Sequence, residues 1–208
     1  MAALLALVVA LPCAAKGVVR GHLLLPGRAA PAPGSVNWKA PGHGPPMEAV
    51  VYLEAVPPKI EKKLAKQARK NRHVIVQEHM NFVPRVSVVA AEDSVRFENL
   101  DTVYHNVFSV SPALRFDLGK YPPGHTSMMA FAAPGVVNLH CDIHPRELAF
   151  VVVLANHAYV LPDSTGRFVL PKIPDGEYTL HAWHPRLGML TQKVVMPKKG
   201  DLEVDLRF

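Results

Sequence analysis

Val136-Val137-Asn138-Leu139-His140-Cys141-Asp142-Ile143-His144-Pro145-Arg146-Glu147-Leu148-Ala149-Phe150-Val151-Val152-Val153-Leu154 sets two apolar runs on either side of a short polar loop. Runs 136–141 and 148–154 have the length and composition of strands, and Pro134-Gly135 ahead of them marks a turn. The same texture extends back to His73, with short apolar runs at 74–77, 82–89, 94–99, 104–110 and 128–132 separated by turn residues. Consecutive strands of this kind leave no room for helical crossovers, so 73–154 is expected to form a β-sandwich.

The flanks differ in character. Residues 18–25 and 49–56 read as strands joined by a Pro/Gly-rich loop through Gly44-Pro45-Pro46. After 154, Asp163-Ser164-Thr165-Gly166-Arg167-Phe168 and Ile173-Pro174-Asp175-Gly176-Glu177-Tyr178-Thr179-Leu180 carry hairpin-type turns, with further strands expected at 194–195 and 202–208. Neither flank alone has enough strands to bury a core. They are expected to combine as one discontinuous sandwich, 16–58 with 155–208, around the inserted 73–154; insertions at surface loops cost little closure entropy. Residues 59–72 are expected to be a basic helical linker. Lys62, Lys63, Lys66, Arg69, Lys70 and Arg72 there surround apolar positions only at Ile60, Leu64 and Ala68, the pattern of a solvated connector.

The chain has 208 residues, 49% of them apolar, with 13 Gly and 20 Pro in no collagen-like period. That suits a globular protein of short strands and many turns with ample core. The formal charge of +6 favours acidic partners. The basic residues lack the one-faced clustering and reading motif of a nucleic-acid binder, and none is expected. Residues 1–15 are an apolar, small-residue run ending Pro12-Cys13-Ala14-Ala15, which fits a signal peptide and is too short to span a bilayer. A basic n-region is missing, and lipidation at Cys13 is the other reading, with Pro12 a poor fit to it. No later stretch could span a membrane, so a periplasmic or secreted protein is expected.

If Cys13 leaves with the leader, Cys141 is the one remaining cysteine, and a lone thiol in an oxidising compartment should be metal-bound, reactive or buried. Its neighbours favour metal. A thiolate at Cys141, an imidazole three residues on at His144 and a second from a distant strand at His105 make a trigonal His₂Cys donor set, which suits one copper ion and one-electron chemistry. A core cysteine with two surface histidines is the bland reading. A Cys–His hydrolase is another, but the chain has no Gly-rich nucleophile turn or evident oxyanion loop. His140 neighbours Cys141 but should face the opposite side of its strand. His181 and His184 could recruit a second metal ion; His73 and His79 carry no motif.

Phe82-x-Pro84, Phe97-x-Asn99-x-Asp101, His105-x-Val107-x-Ser109, Phe116-x-Leu118, Gly135 and Cys141-x-Ile143-His144 together resemble the cupredoxins, of the plastocyanin and amicyanin kind. More narrowly the chain looks like exported bacterial methylamine-utilisation or plastocyanin-like proteins. In these a cupredoxin is joined to a carboxypeptidase regulatory-like sandwich, here matched by Asp163-x-x-Gly166-x-Phe168, Pro174-x-Gly176-x-Tyr178-x-Leu180 and Trp183-His184-Pro185. The resemblance implies an all-β fold, a cupredoxin Greek-key β-sandwich plus a second small regulatory-like sandwich. It implies copper ligands at His105, Cys141 and His144, and an Asn106 side chain that ties the two ligand loops together.

Where the resemblance implies a Met, the chain has Glu147. This residue either approaches the copper as a carboxylate, favouring Cu(II), or points to solvent and leaves the axial place to water or a backbone carbonyl. The candidate metal set is therefore His105, Cys141, His144 and Glu147. The expected function is non-enzymatic electron transfer with a cytochrome or amine-oxidising enzyme, with electrons leaving through His144. The competing class is a copper carrier or structural module without redox turnover.

Overall fold

The computed structural model describes residues 16–29, 44–68 and 73–208. The expected leader 1–15, with Cys13, and the basic residues Arg69, Lys70 and Arg72 lie outside the described residues. The first strands are β1 (Lys16–Gly17), β2 (Val19–Leu24) and β3 (Val50–Leu53), followed by one helix, α1 (Pro58–Ala68). Next come β4 (His73–Glu78), β5 (Asn81–Val83), β6 (Val86–Ala90), β7 (Ser94–Asn99), β8 (His105–Ser111) and β9 (Leu114–Tyr121). They are followed by β10 (Thr126–Ala130), β11 (Gly135–His140) and β12 (Leu148–Leu154). The tail supplies β13 (Tyr159–Val160), β14 (Arg167–Val169), β15 (Ile173–Pro174), β16 (Gly176–His184), β17 (Gly188–Met196), β18 (Leu202–Glu203) and β19 (Leu206–Arg207). Among the described residues the fold is all-β apart from α1.

Strands β4–β12 pair only among themselves, in a sheet of order β10-β7-β4-β5 and one of order β6-β12-β11-β8-β9. The remaining strands pair across the insertion: β13-β3-β16-β17 form one sheet, β14-β2-β18 another with β19 also on β2, and β1 pairs with β15. The run expected as one strand over 82–89 is two. β5 pairs with β4 in the first sheet, and β6 runs parallel to β12 in the second. The switch falls at Pro84-Arg85, where Pro84 has no N–H to give to a ladder. β9, absent from the strands expected above, pairs with β8 and carries Leu114, Phe116 and Leu118 at period two against the core.

The four larger sheets stack, with an apolar layer between each neighbouring pair. Ile75, Val95 and Phe97 meet Val107, Val137, Leu139, Ala149, Val151 and Val153 inside the inserted sandwich. Val19, Leu23 and Phe168 meet Val51, Leu53, Leu180 and Ala182 inside the other. The third layer joins the two sandwiches: Val86, Val88, Phe150, Val152 and Leu154 pack against Val50 and Trp183. Strand β12 therefore faces apolar neighbours on both sides, odd residues to one layer and even residues to the next, which is why 148–154 is apolar at every position. At the rim, Arg85 pairs with Glu48, and its guanidinium lies 5.5 Å from the centre of the Phe150 ring.

Helix α1 is docked rather than free. Ile60 is buried in the outer sandwich, and Glu61 accepts hydrogen bonds from the His157 backbone N–H (3.0 Å) and ring Nδ1 (2.6 Å). Lys59, Lys62, Lys63 and Lys66 stay exposed. Beside this contact, buried Asn156 donates to the carbonyls of Leu53 and Glu54, tying the chain that returns from the insertion back to β3.

His184 supplies a pH dependence. It is buried, its ring packs 6.1 Å from Phe208, and its Nδ1 accepts the Arg186 backbone N–H, a bond that protonation at Nδ1 would break. Burial and the Arg186 charge lower its pKa; Glu48 opposes them in part and Arg85 adds to them. The unfolded chain therefore takes up this proton first. Stability carried by neutral His184 is present above about pH 6.5 and lost as pH falls below it. The urea midpoint should drop between about pH 7.5 and pH 5.5, and His184→Asn should make that drop smaller. An equal drop in the variant would assign the dependence elsewhere.

Candidate metal centre

His105 opens β8, and Cys141, His144 and Glu147 all lie on the loop between β11 and β12. The loop turns back at Pro145-Arg146, where the Glu147 N–H donates to the His144 carbonyl (3.0 Å). Pro145 is preset for the second position of such a turn. Closing it puts the His144 and Glu147 side chains together. The Cys141 Sγ lies 3.9 Å from His105 Nδ1 and 3.7 Å from His144 Nδ1, and the two Nδ1 atoms are 3.1 Å apart. Glu147 Oε1 lies 2.9 Å from each of them. One donor atom from each of the four residues falls within 4.8 Å of all the others, and no other group of three or more such residues does so among the described residues.

The His105 ring is oriented from behind. Its Nε2 lies 2.9 Å from Asp101 Oδ2, so that nitrogen carries the proton and Nδ1 presents its lone pair to Cys141, His144 and Glu147. Asp101 also accepts the backbone N–H groups of His79 (2.7 Å) and Met80 (2.9 Å). Both residues have φ of 54°, an uncommon left-handed pair for side-chain-bearing residues, at the turn between β4 and β5. Burial raises the Asp101 pKa, but the bonds from Met80, His79 and His105 outweigh it, and the carboxyl stays below its ordinary value. Asp101 thus ties the β4–β5 turn to a candidate ligand.

Glu147 points inward and is only 1% exposed, which removes the solvent-facing alternative. Its Oε2 accepts a 2.6 Å hydrogen bond from Gln77 Nε2, whereas Oε1 is buried with no hydrogen-bond partner. A buried carboxylate oxygen without a donor is costly. Here it shares a small space with a thiol sulfur and two imidazole nitrogens. A metal ion bonded at about 2.0–2.3 Å to N, O and S would satisfy all four at once. Soft sulfur, imidazole and one oxygen suit copper. The residues present fit that ion.

His140 lies outside this cluster, with its ring 5.6 Å from Phe108. His181 stacks on Tyr52 and bonds Thr191, and His184 bonds Arg186, so neither adds a second metal group. The role expected of Asn106 is corrected. Its side chain donates to Asp117 on β9 (2.8 Å) and leaves a buried Oδ1 unpartnered, with no hydrogen bond to the 141–147 loop. The tie between the ligand-bearing segments is Gln77, which bonds both the Asn106 carbonyl (3.2 Å) and Glu147. Nothing in the sequence marks Gln77 and its partner Tyr121 beyond a lone amide ending the apolar run Val74-Ile75-Val76.

A two-sheet sandwich with a buried sulfur, nitrogen, nitrogen and oxygen cluster at one end defines a candidate mononuclear metal-binding sandwich. No family model matches the chain, and no curated protein matches it. Among solved structures it is similar to the Cu-containing nitrite reductase from Thermus scotoductus SA-01, with 21% identity, TM-score 0.38 and coverage of 40% of this chain and 22% of that one. It is also similar to amicyanin from Paracoccus versutus (19%, TM-score 0.37, 40% and 81%) and to a purple cupredoxin from Nitrosopumilus maritimus (20%, TM-score 0.36, 39% and 98%). The chain thus spans less than a quarter of the nitrite reductase.

Proposed function

We propose that this protein holds one copper ion between His105 Nδ1, Cys141 Sγ, His144 Nδ1 and Glu147 Oε1 and serves as an exported, cupredoxin-like one-electron carrier. The observation that carries the reading is the convergence of these four atoms, with Glu147 Oε1 buried and lacking any hydrogen bond. Bound copper supplies the one-electron couple between Cu(I) and Cu(II).

The chain's own residues do the rest. Two strand-anchored segments hold the donors in place, Asp101 fixes the His105 tautomer, and the packed sandwich excludes water from Cys141. Glu147 is a hard anionic donor, which favours Cu(II) and holds the potential below that of a thioether in the same place. His144, with 22% of its side chain exposed against none for His105, is the exit toward a partner. Arg146 beside it is exposed and the chain carries +6, so the partner, a cytochrome or an amine-oxidising enzyme, presents acidic groups and docks less well in high salt. Copper binding would also protect a lone thiol in an oxidising compartment.

Copper loading followed by visible and EPR spectroscopy and a redox titration tests this. One equivalent of Cu(II) should give an intense thiolate charge-transfer band that bleaches and returns on reduction and reoxidation. Glu147→Met should move the band and raise the potential. Absence of the band rejects the copper site, whereas a normal band on a site inert toward cytochromes in stopped flow supports a carrier or structural module instead.

A further inference from the structure

Gln77 is only 1% exposed, on the core-facing side of β4 and opposite Asn99 of β7. Every polar atom of its amide is used. Nε2 donates to the Asn106 carbonyl at 3.2 Å and to Glu147 Oε2 at 2.6 Å, and Oε1 accepts the Tyr121 hydroxyl. The orientation of the amide is fixed by its partners: a backbone carbonyl can only accept, so nitrogen must face Asn106, and the same NH₂ then reaches Glu147. Tyr121 closes β9 directly opposite His105. Its hydroxyl donates to Gln77 Oε1, which holds the amide from the side away from Glu147.

The chain Tyr121–Gln77–Glu147 has a consequence for the centre. Gln77 occupies Oε2, so one oxygen of the carboxylate is withdrawn and only Oε1 faces His105, Cys141 and His144. We propose that Gln77, itself held by Tyr121, is a positioning residue that makes Glu147 a one-oxygen donor to the metal and prevents it from chelating through both oxygens. The inference rests on the copper reading above and adds a residue that acts on the metal only through Glu147. Without the Gln77 N–H, Oε2 is freed to swing toward the ion, and the donor set changes from four atoms to five. Alternatively, the carboxylate turns away and leaves three.

The test is a double-mutant cycle on the copper-loaded full chain, read by the visible and EPR spectra and by Cu(II) affinity against a competing chelator. Gln77→Leu keeps the approximate volume and removes the donor. In the wild-type background it should shift the charge-transfer band and the copper hyperfine pattern and weaken Cu(II) binding about 10–100-fold, the scale of losing a partner that orients a ligand. In a Glu147→Met background the same substitution should leave spectrum and affinity unchanged. Tyr121→Phe, which deletes one hydroxyl, should produce a smaller shift in the same direction that also vanishes with Glu147→Met, and it serves if Gln77→Leu does not fold. Equal shifts in both backgrounds would make Gln77 a packing residue and overturn the proposal, as would no shift in the wild-type background. A wild-type protein that binds no copper overturns both this inference and the copper reading. Normal copper binding with no effect of Gln77→Leu overturns this one alone.

Discussion

Cys141→Ser should abolish the intense visible absorption of the copper-loaded protein while leaving its metal-free circular dichroism and melting temperature close to wild type. The sulfur is almost fully buried and faces two imidazole nitrogens at 3.7 and 3.9 Å. A serine hydroxyl fits the same space and can hydrogen-bond to those nitrogens, so the metal-free fold has little reason to change. It is a hard, protonated oxygen, however, and cannot give the soft covalent bond that produces the charge-transfer band. Loss of Cu(II) affinity should exceed the ~10–100-fold that follows from disturbing a residue behind a ligand. Persistence of the band would show that the colour comes from elsewhere and would remove Cys141 from the site.

The largest effect on stability is expected from Trp183→Ala. Trp183 sits in the layer between the two sandwiches, edge-on to Phe150 with ring centres 5.5 Å apart. Emptying a site of this size costs about 3–5 kcal/mol, a large share of the roughly 5–15 kcal/mol that holds a typical protein folded. The wild-type chain should unfold in urea with coincident transitions by far-UV circular dichroism and by copper absorbance, because one apolar layer couples both sandwiches. In the variant the midpoint should fall and the two transitions should separate. A loss below about 1 kcal/mol would mean that the layer closes up around the missing indole.

The parts of the site legible from sequence were those whose chemistry is local. Cys141 and His144 share one short loop, which residue type and spacing make visible, whereas the distant His105 joins them through the resemblance of its strand to the cupredoxins. Glu147 was visible as an anomaly, but its direction was not. That depends on the turn bond from its N–H to the His144 carbonyl and on an amide arriving from β4. Gln77 was hidden because Val74 and Val76 are as apolar as Ile75, so period-two alternation could not say which face of β4 it shares.

The same logic applies to the fold. The inserted series of strands was readable from its turns, yet β9 was passed over although Leu114, Phe116 and Leu118 alternate cleanly with polar residues. The division at Pro84-Arg85 was lost because two short strands in different sheets look like one apolar run. The layer between the sandwiches could not be anticipated, since a strand apolar at every position says that both faces are covered without saying by what.

The pairing of β3 with β16 across the insertion also bears on the order of events in folding. Strands β2 and β3 precede the inserted strands in the chain, and their partners follow them. Until those partners pair, β2 and β3 lack their ladders. The inserted strands β4–β12 need no later residue to complete their ladders, so the sandwich that bears the donor cluster can close first. Its outer face, with Phe150, Val152 and Leu154, is then a ready surface on which β3 can rest until β16 arrives. The part of the chain that would hold the metal thus becomes the template on which the rest of the protein is assembled.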